Sequence, residues 1–396
     1  MRLSVVAIVG CFGLISAAMA ESPVKDAPRS LRVMVFNVWE LSLQKLRAAD
    51  AEGRGADPQV RKAAEIVQIV RPDVLVINEI DYAPAEEAVR LLRDKYLAVG
   101  QREAKALTHF EHVFTAPVNT GEPTAFDLDN DGKTGGPGDA YGFGKYPGQY
   151  GMALLSRYPI DAASARTFQK LLWREMPGNL MPDGSEGKPA FYSSEEAAAL
   201  RLSSKSHWDV PVRVDEKTVV HVLMSHPTPP VFDGPEDWNG RRNFDEIRLW
   251  ADYIDGDEGR AAYIVDDAGK RGGLARDALF VITGDQNSDP KRGDHPYGKP
   301  AISQLLEHPR VRDCMPRSRG GEADNSKDAQ RRYPADATLR TSNFGRIDYL
   351  LPCREIECGE AAVFWPGPEE KHRELISEPN PASDHRAIWG ELILRR

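Results

Sequence analysis

Leu279-Phe280-Val281-Ile282-Thr283-Gly284-Asp285-Gln286-Asn287 decides how this chain is read. Its first half is a short apolar and β-branched run, bounded by a glycine, which predicts a buried strand over Leu279–Thr283. The run then hands over to one carboxylate and two carboxamides. A strand that no water reaches thus delivers charged and polar groups to its end. Taken alone, Gly-Asp-Gln-Asn is a common turn composition. The reading depends on whether other strands end in the same way.

They do. Leu31–Phe36 alternates and is rich in β-formers, predicting a strand that ends at Asn37. Asp57-Pro58 opens a helix, a capping side chain followed by a first-turn proline. Val60, Ala63, Ala64, Val67 and Val70 form its apolar face, and Arg71-Pro72-Asp73 stops it. Val74–Ile77 is a second buried strand, ending at Asn78-Glu79 and completing a β-α-β passage. Further on, helices are predicted near Ala85–Lys95, Ser194–Leu200, Phe244–Ile254 and Pro300–Glu307. Strands are predicted over Gly151–Leu155, Ile347–Leu351 and Ala387–Leu394. A hairpin joins Val210–Val214 to Thr218–Met224 through the turn Asp215-Glu216-Lys217. Weakly patterned stretches near 121–148, 169–206 and 317–342 read as insertions, with Arg317–Arg332 a polar loop. No linker divides residues 31–396, so one α/β domain is expected, after a short segment 21–30.

Six strand ends therefore carry Asn37, Glu79, Ser225-His226, Asp285-Gln286-Asn287, Arg346-Ile347-Asp348 and Ser383-Asp384-His385. Each has an innocuous explanation: a turn, an exposed strand terminus, a packed histidine. All six would have to hold at once for the ends to mean nothing. In layered α/β folds ligands bind where strand ends and their loops converge. Carboxylates and carboxamides suit a hard cation such as Mg²⁺ or Mn²⁺, and histidines without cysteine neighbours suit proton transfer.

The ordered segments FNVWE, DVLVINEI, MALLSRYPI, VLMSHPTPP, VITGDQNSDP, RIDYLLP and ASDHRAI resemble the endonuclease/exonuclease/phosphatase family, which includes deoxyribonuclease I-like enzymes. The resemblance spans Leu31–Leu394 and implies a four-layered α/β sandwich, two facing mixed β-sheets flanked by helices. It implies that Glu79 and Asn37 hold the metal, with Asp384 a further ligand. Asp285 and Asn287 match the pair beside the attacking water and the phosphoryl oxygens. His226 matches the histidine that contacts the phosphate or leaving group. His385 matches the terminal catalytic histidine, and Asp348 the aspartate that orients it. On this pattern water attacks phosphorus in line with the leaving oxygen, with His385 the general base and Asp285 its rival.

Two stretches depart from the pattern or add to it. After His226 come Pro227-Thr228-Pro229-Pro230 and a polar segment containing Arg241 and Arg242. These two either reach substrate phosphate or pair with Glu236, Asp237 or Glu246 on a solvated face. Asp127-Leu128-Asp129-Asn130-Asp131-Gly132 opens like a calcium loop, with oxygen ligands at Asp127, Asp129 and Asp131. The glutamate expected at its twelfth position is absent: Gly138 stands there and Asp139 follows. A structural Ca²⁺ and a plain acidic turn are both consistent with it.

The bulk properties bound the partners. The chain has 396 residues with 60 acidic against 51 basic, a formal charge of -9. That balance disfavours a module gripping duplex DNA by charge alone, though not an enzyme that meets phosphate through a cation. The expected substrate is a phosphate ester: a nucleic acid, a lipid head group or a small polyanion. A phosphodiesterase or nuclease, a phosphomonoesterase and a catalytically silent binding module compete; the last predicts a missing core position, and none is missing. A monomer without a stable protein partner is expected. Arg2, the apolar run Leu3–Ile15 and Ala18-Met19-Ala20 read as a cleaved signal peptide, residues 1–20, and hence as secretion or a periplasmic address. Ile8-Val9-Gly10-Cys11 offers the alternative of a lipoprotein. Of the four cysteines, Cys11 leaves with the signal, so Cys314, Cys353 and Cys358 predict one disulfide and one free thiol.

Overall fold

Leu279–Asp285 is a buried strand of one of two sheets. The computed structural model describes residues 29–182, 184, 190–256, 259–292, 298–325 and 333–395. The expected signal peptide, with Cys11, lies outside the described residues. The strands are β1 (Arg29–Leu41), β2 (Val74–Ile80), β3 (His112–Phe114), β4 (Gly151–Ser156), β5 (Arg166–Thr167), β6 (His207–Arg213), β7 (Val219–Ser225), β8 (Leu279–Asp285), β9 (Asp348–Pro352), β10 (Glu357–Val363) and β11 (Ile388–Leu394). One sheet has six strands in the order β10-β11-β1-β2-β4-β3, the other five in the order β5-β6-β7-β8-β9. β1 runs parallel to β2 and β7 parallel to β8, while the remaining pairs are antiparallel.

The sheets meet face to face through β1, β2 and β11 of one and β8 and β9 of the other. Their inner faces carry Val33, Val35, Val76, Val281, Leu350 and their neighbours, all buried in one continuous core. Each such side chain contributes roughly 1.5–3 kcal/mol by leaving water. Helices close the outer faces. Pro58–Val70 packs beside β1; Asp57 caps it by accepting from the Gln59 and Val60 amides at 3.0 and 3.1 Å. Trp238–Ile254 covers the second sheet, where Trp250 meets Phe168 and His207 and donates to Ser225 Oγ at 2.9 Å. The result is the expected sandwich of two mixed sheets flanked by helices.

Some local expectations change. The stretch Arg317–Arg332, read as a loop, contains the helix Arg319–Asn325. It escaped notice because it lacks an apolar stripe. It docks instead through Gly320, where a Cβ would come within 2.3 Å of the Trp365 ring, and through Asp324, which accepts from Trp365 Nε1 at 2.8 Å. The helix expected near Ala85–Lys95 is an α-turn, Glu87–Leu91, that widens into π geometry over Leu92–Leu97. Cys314 and Cys358 form the disulfide, Cα–Cα 5.5 Å. Cys353 is the free thiol, and burial pushes its pKa up to about 11. Among the described residues no helix is long and apolar enough to cross a membrane.

Candidate active site

Register explains why the polar residues converge. Asn37 of β1 sits beside Asn78 of β2, and Asp285 of β8 sits beside Asp348 of β9. The ends of β1, β2, β7 and β8 and the start of β9 therefore meet at one end of the sandwich. Just past Asn37 the β1–β2 ladder shifts register. Trp39 and Glu40 both take φ of 51°, and Glu79 takes 67°, conformations that cost a non-glycine residue energy and need support from their surroundings. The bulge turns the Glu40 amide onto Glu79 Oε2 at 3.1 Å and the Trp39 amide onto Asn37 Oδ1 at 3.1 Å.

Asn37 then joins the two halves of the centre. Its Nδ2 donates to Glu79 Oε1 at 2.9 Å and to Asp285 Oδ2 at 3.1 Å. Asp285 Oδ1 accepts the Asn287 amide at 2.8 Å, and Asn287 Nδ2 donates to the Pro227 carbonyl at 3.1 Å. His226 Nε2 lies 3.4 Å from Asp285 Oδ2 and 4.0 Å from Glu79 Oε1. His385 Nδ1 is 2.9 Å from Asp348 Oδ2, and its Nε2 is 3.7 Å from Asp285 Oδ2. Ser383 Oγ donates to the Asn37 carbonyl and accepts the His385 amide, which fixes the last motif against the first. Asp384, beside it, is half-buried.

The electrostatics follow from this crowding. Burial raises the Asp285 carboxyl, but His385, His226 and the Asn287 amide outweigh it and hold it down at about 2. Burial lowers the His385 imidazolium, but Asp348 and Asp285, one facing each ring nitrogen, raise it well above the ordinary histidine value. Asp348 and Asp384 are both raised, chiefly by burial. Among the described residues His226 Nδ1 and Asp348 Oδ1 are buried without a protein partner. Each such orphan costs about 1–3 kcal/mol, a cost that folded proteins tend to carry at functional sites.

The donor set fits a hard divalent cation. Glu79 is the most open of the acids at the centre's hydrogen-bonded core, its side chain 16 % exposed; Asn37 adds a carboxamide, and no thiolate intrudes. Asp285, Asp348 and His385 also lie within reach of a common ion, but there the His385–Asp348 bond already occupies one ring nitrogen.

Other expected residues fall elsewhere. Arg242 is buried and donates to the carbonyls of Leu202 at 3.0 Å, Tyr141 at 2.6 Å and Arg201 at 2.8 Å. Arg241 reaches the Leu180 carbonyl at 3.3 Å. The helix begins at Trp238 rather than Phe244, so both arginines lie on it and face the 169–206 insertion. Arg242 is thereby taken up in bracing the fold, while Arg241 is half-buried. In the acidic loop the three carboxylates that gather are Asp127, Asp129 and Asp139. Asp131 turns outward, accepting the Lys133 amide at 2.8 Å and lying 3.5 Å from Lys133 Nζ.

One residue without an expected role proves central. Asn78 is fully buried; its Oδ1 accepts the Asp285 amide at 3.1 Å and its Nδ2 donates to the Ser225 carbonyl at 3.2 Å. It ties β2 of one sheet to β7 and β8 of the other, next to Glu79, His226 and Asp285. An asparagine inside the apolar run Val74–Ile80 was the available signal.

Carboxylates, an amide and two imidazoles gathered between two sheets define a hydrolase that handles phosphate with the help of a metal. The Endonuclease/Exonuclease/phosphatase family model matches residues 34–385, and the chain belongs to that family. Its members are phosphoester hydrolases that depend on a divalent metal, and this chain is one of these hydrolases. Among solved structures, an endonuclease/exonuclease/phosphatase from Beutenbergia cavernae is similar, with TM-score 0.50 and 16% identity, over 92% of this chain and 72% of that one. The human Nocturnin catalytic domain with bound sulfate gives TM-score 0.45 and 11% identity, over 93% and 94%. A mannosyl-6-phosphatase from Bacteroides thetaiotaomicron gives 0.46 and 11%, over 92% and 100%. No curated protein matches the chain.

Proposed function

We propose that the protein is an exported phosphodiesterase that uses Mg²⁺ or Mn²⁺ and drives water onto phosphorus in line with the leaving oxygen. The observation that carries the reading is Asp285 Oδ2, on which Asn37, His226 and His385 all converge. Glu79 and Asn37 would hold the cation, with Asp384 beside them. When bound, the cation neutralises phosphoryl and leaving-oxygen charge, and its own charge draws the neighbouring imidazole pKa down. Asp285 is anionic, but its oxygens are engaged by Asn37 and the Asn287 amide, and a carboxyl held low accepts protons poorly. It orients the water. His385 takes the proton, and the imidazolium that forms is stabilised by Asp348 at one nitrogen and Asp285 at the other. His226 and Asn287 donate where negative charge builds.

A diester suits this centre better than a monoester. Glu79, Asp285, Asp348 and Asp384 crowd the centre with negative charge, and a dianion is repelled more strongly than a monoanion. Export is supported by the signal-like residues 1–20 and by the Cys314–Cys358 disulfide, which suits an oxidising compartment. The expected result with Mg²⁺ or Mn²⁺ is faster turnover of bis(p-nitrophenyl) phosphate than of p-nitrophenyl phosphate, and loss of both with EDTA. Activity that survives chelation would sink the metal mechanism; a preference for the monoester would sink the diester assignment. Plasmid DNA, sphingomyelin and phytate in the same assay separate the substrate classes.

A second reading concerns Asp127, Asp129 and Asp139, which suit a structural Ca²⁺. Burial and the neighbouring carboxylates raise Asp129, a strain that a cation would relieve. Calcium should raise the melting temperature of the wild type but not of Asp129→Ala. Equal responses in the two would refute it.

A further inference from the structure

We propose that Lys205 supplies the cation that binds the phosphoryl oxygens of the substrate, the part expected of Arg241 and Arg242. The proposal rests on the phosphoester reading above and adds a residue to it.

Backbone geometry places Lys205 at the centre's edge. β6 begins at His207, which pairs with Ser225 at the end of β7. Two residues upstream, Lys205 therefore runs alongside His226-Pro227, the segment that brings His226 to Asp285 and whose Pro227 carbonyl holds Asn287. The chain is pinned on both sides of it. Ser204 N donates to Glu246 Oε1 and Thr228 N to Glu246 Oε2, each at 2.6 Å. One buried carboxylate thus clamps the two segments together, and the Asn119 amide donates to the Lys205 carbonyl at 2.8 Å.

The residue is only 6% exposed, yet its ammonium makes no hydrogen bond or ion pair with any described residue. Glu246, Glu79 and Asp285 are the carboxylates whose charge acts on it. All three already accept other donors. Glu246 is engaged by the two amides, Glu79 by Asn37 and Glu40, and Asp285 by Asn37 and Asn287. Burial pulls the Lys205 pKa down, while those three carboxylates push it back up. Lysines this little exposed are almost always paired, and the Lys205 ammonium, which is not fully enclosed, meets solvent where a partner would be expected. An anion that arrives with the substrate would complete it. A phosphoryl group has further oxygens beyond those facing a metal, and an ammonium with three rotatable donors suits them.

The test compares wild type, Lys205→Met and Lys205→Arg in the full chain, loaded with Mn²⁺. Lys205→Met should lose kcat/KM for bis(p-nitrophenyl) phosphate by about 10²–10³-fold, the effect of removing one charge-stabilising donor. Inhibition by inorganic phosphate should weaken by about tenfold or more. The melting temperature should stay level or rise, because a desolvated charge has gone. Lys205→Arg should regain part of the phosphate inhibition. A lysine that serves only the fold would give a lower melting temperature with phosphate inhibition unchanged, and that result overturns the proposal. So does wild-type turnover in Lys205→Met. If the wild type hydrolyses no phosphoester in a chelator-sensitive way, the hydrolase reading fails. Calorimetric binding of inorganic phosphate to wild type but not to Lys205→Met would still support the ammonium as a phosphate site, and equal binding would overturn it.

Discussion

Replacing Glu79 by alanine is expected to cut phosphoester turnover by about a thousandfold or more. A bound cation contributes several kcal/mol of charge stabilisation, and each tenfold in rate corresponds to about 1.4 kcal/mol. Glu79 is the carboxylate best placed to hold it, oriented by Asn37 Nδ2 and the Glu40 amide. The loss should come with weaker Mn²⁺ binding in calorimetry, while the melting temperature changes little, since the side chain is partly exposed and one of several crowded negative charges is removed. Turnover within tenfold of wild type would exclude Glu79 as the principal ligand.

Replacing His385 by alanine should cost about 10²–10⁴-fold in kcat, the usual contribution of a positioned acid–base group, with metal binding largely retained. Stability should suffer as well. Asp348 Oδ1 already lacks a partner among the described residues, and the variant strips Oδ2 of His385. Breaking a buried pair by removing one partner costs about 3–5 kcal/mol, which a differential scan would read as a clear fall in melting temperature. Asp348→Asn should lower kcat too, because the ring loses the carboxylate that fixes its tautomer. If His385→Ala keeps near-wild-type kcat, the proton goes to Asp285 instead.

The strand-end residues were legible because buried strands are short, apolar and closed by polar residues, and that contrast survives in a single sequence. Val74–Ile80 and Leu279–Asp285 illustrate it. β10 was not legible: Glu357–Val363 is an edge strand, mostly exposed or half-buried, with no apolar run to mark it. Arg242 looked available for phosphate because sequence cannot show that three backbone carbonyls from distant segments will surround it. Asp131 fitted a linear spacing rule, but the loop folds so that Asp139, buried and accepting the Leu128 and Gly136 amides, takes its place. Lys205 carried no signal at all. A lysine before a strand is ordinary, and only the fold shows that it is buried with no described residue to pair with.

Asn78 has a consequence for how the enzyme fails. Glu79 and Asn37 belong to one sheet, while His226, Asp285 and Asp348 lie on or beside the other, and Asn78 is a polar bolt across the seam. Sliding one sheet over the other by a fraction of a residue would leave every ladder hydrogen bond and most of the greasy interior intact. It would nonetheless carry the cation's ligands, and His385 tied to them through Ser383, away from Asp285, His226 and Asp348. The molecule could thus lose its chemistry to shear while still looking folded by circular dichroism, and Asn78, together with the Asn37–Asp285 hydrogen bond, resists that slip.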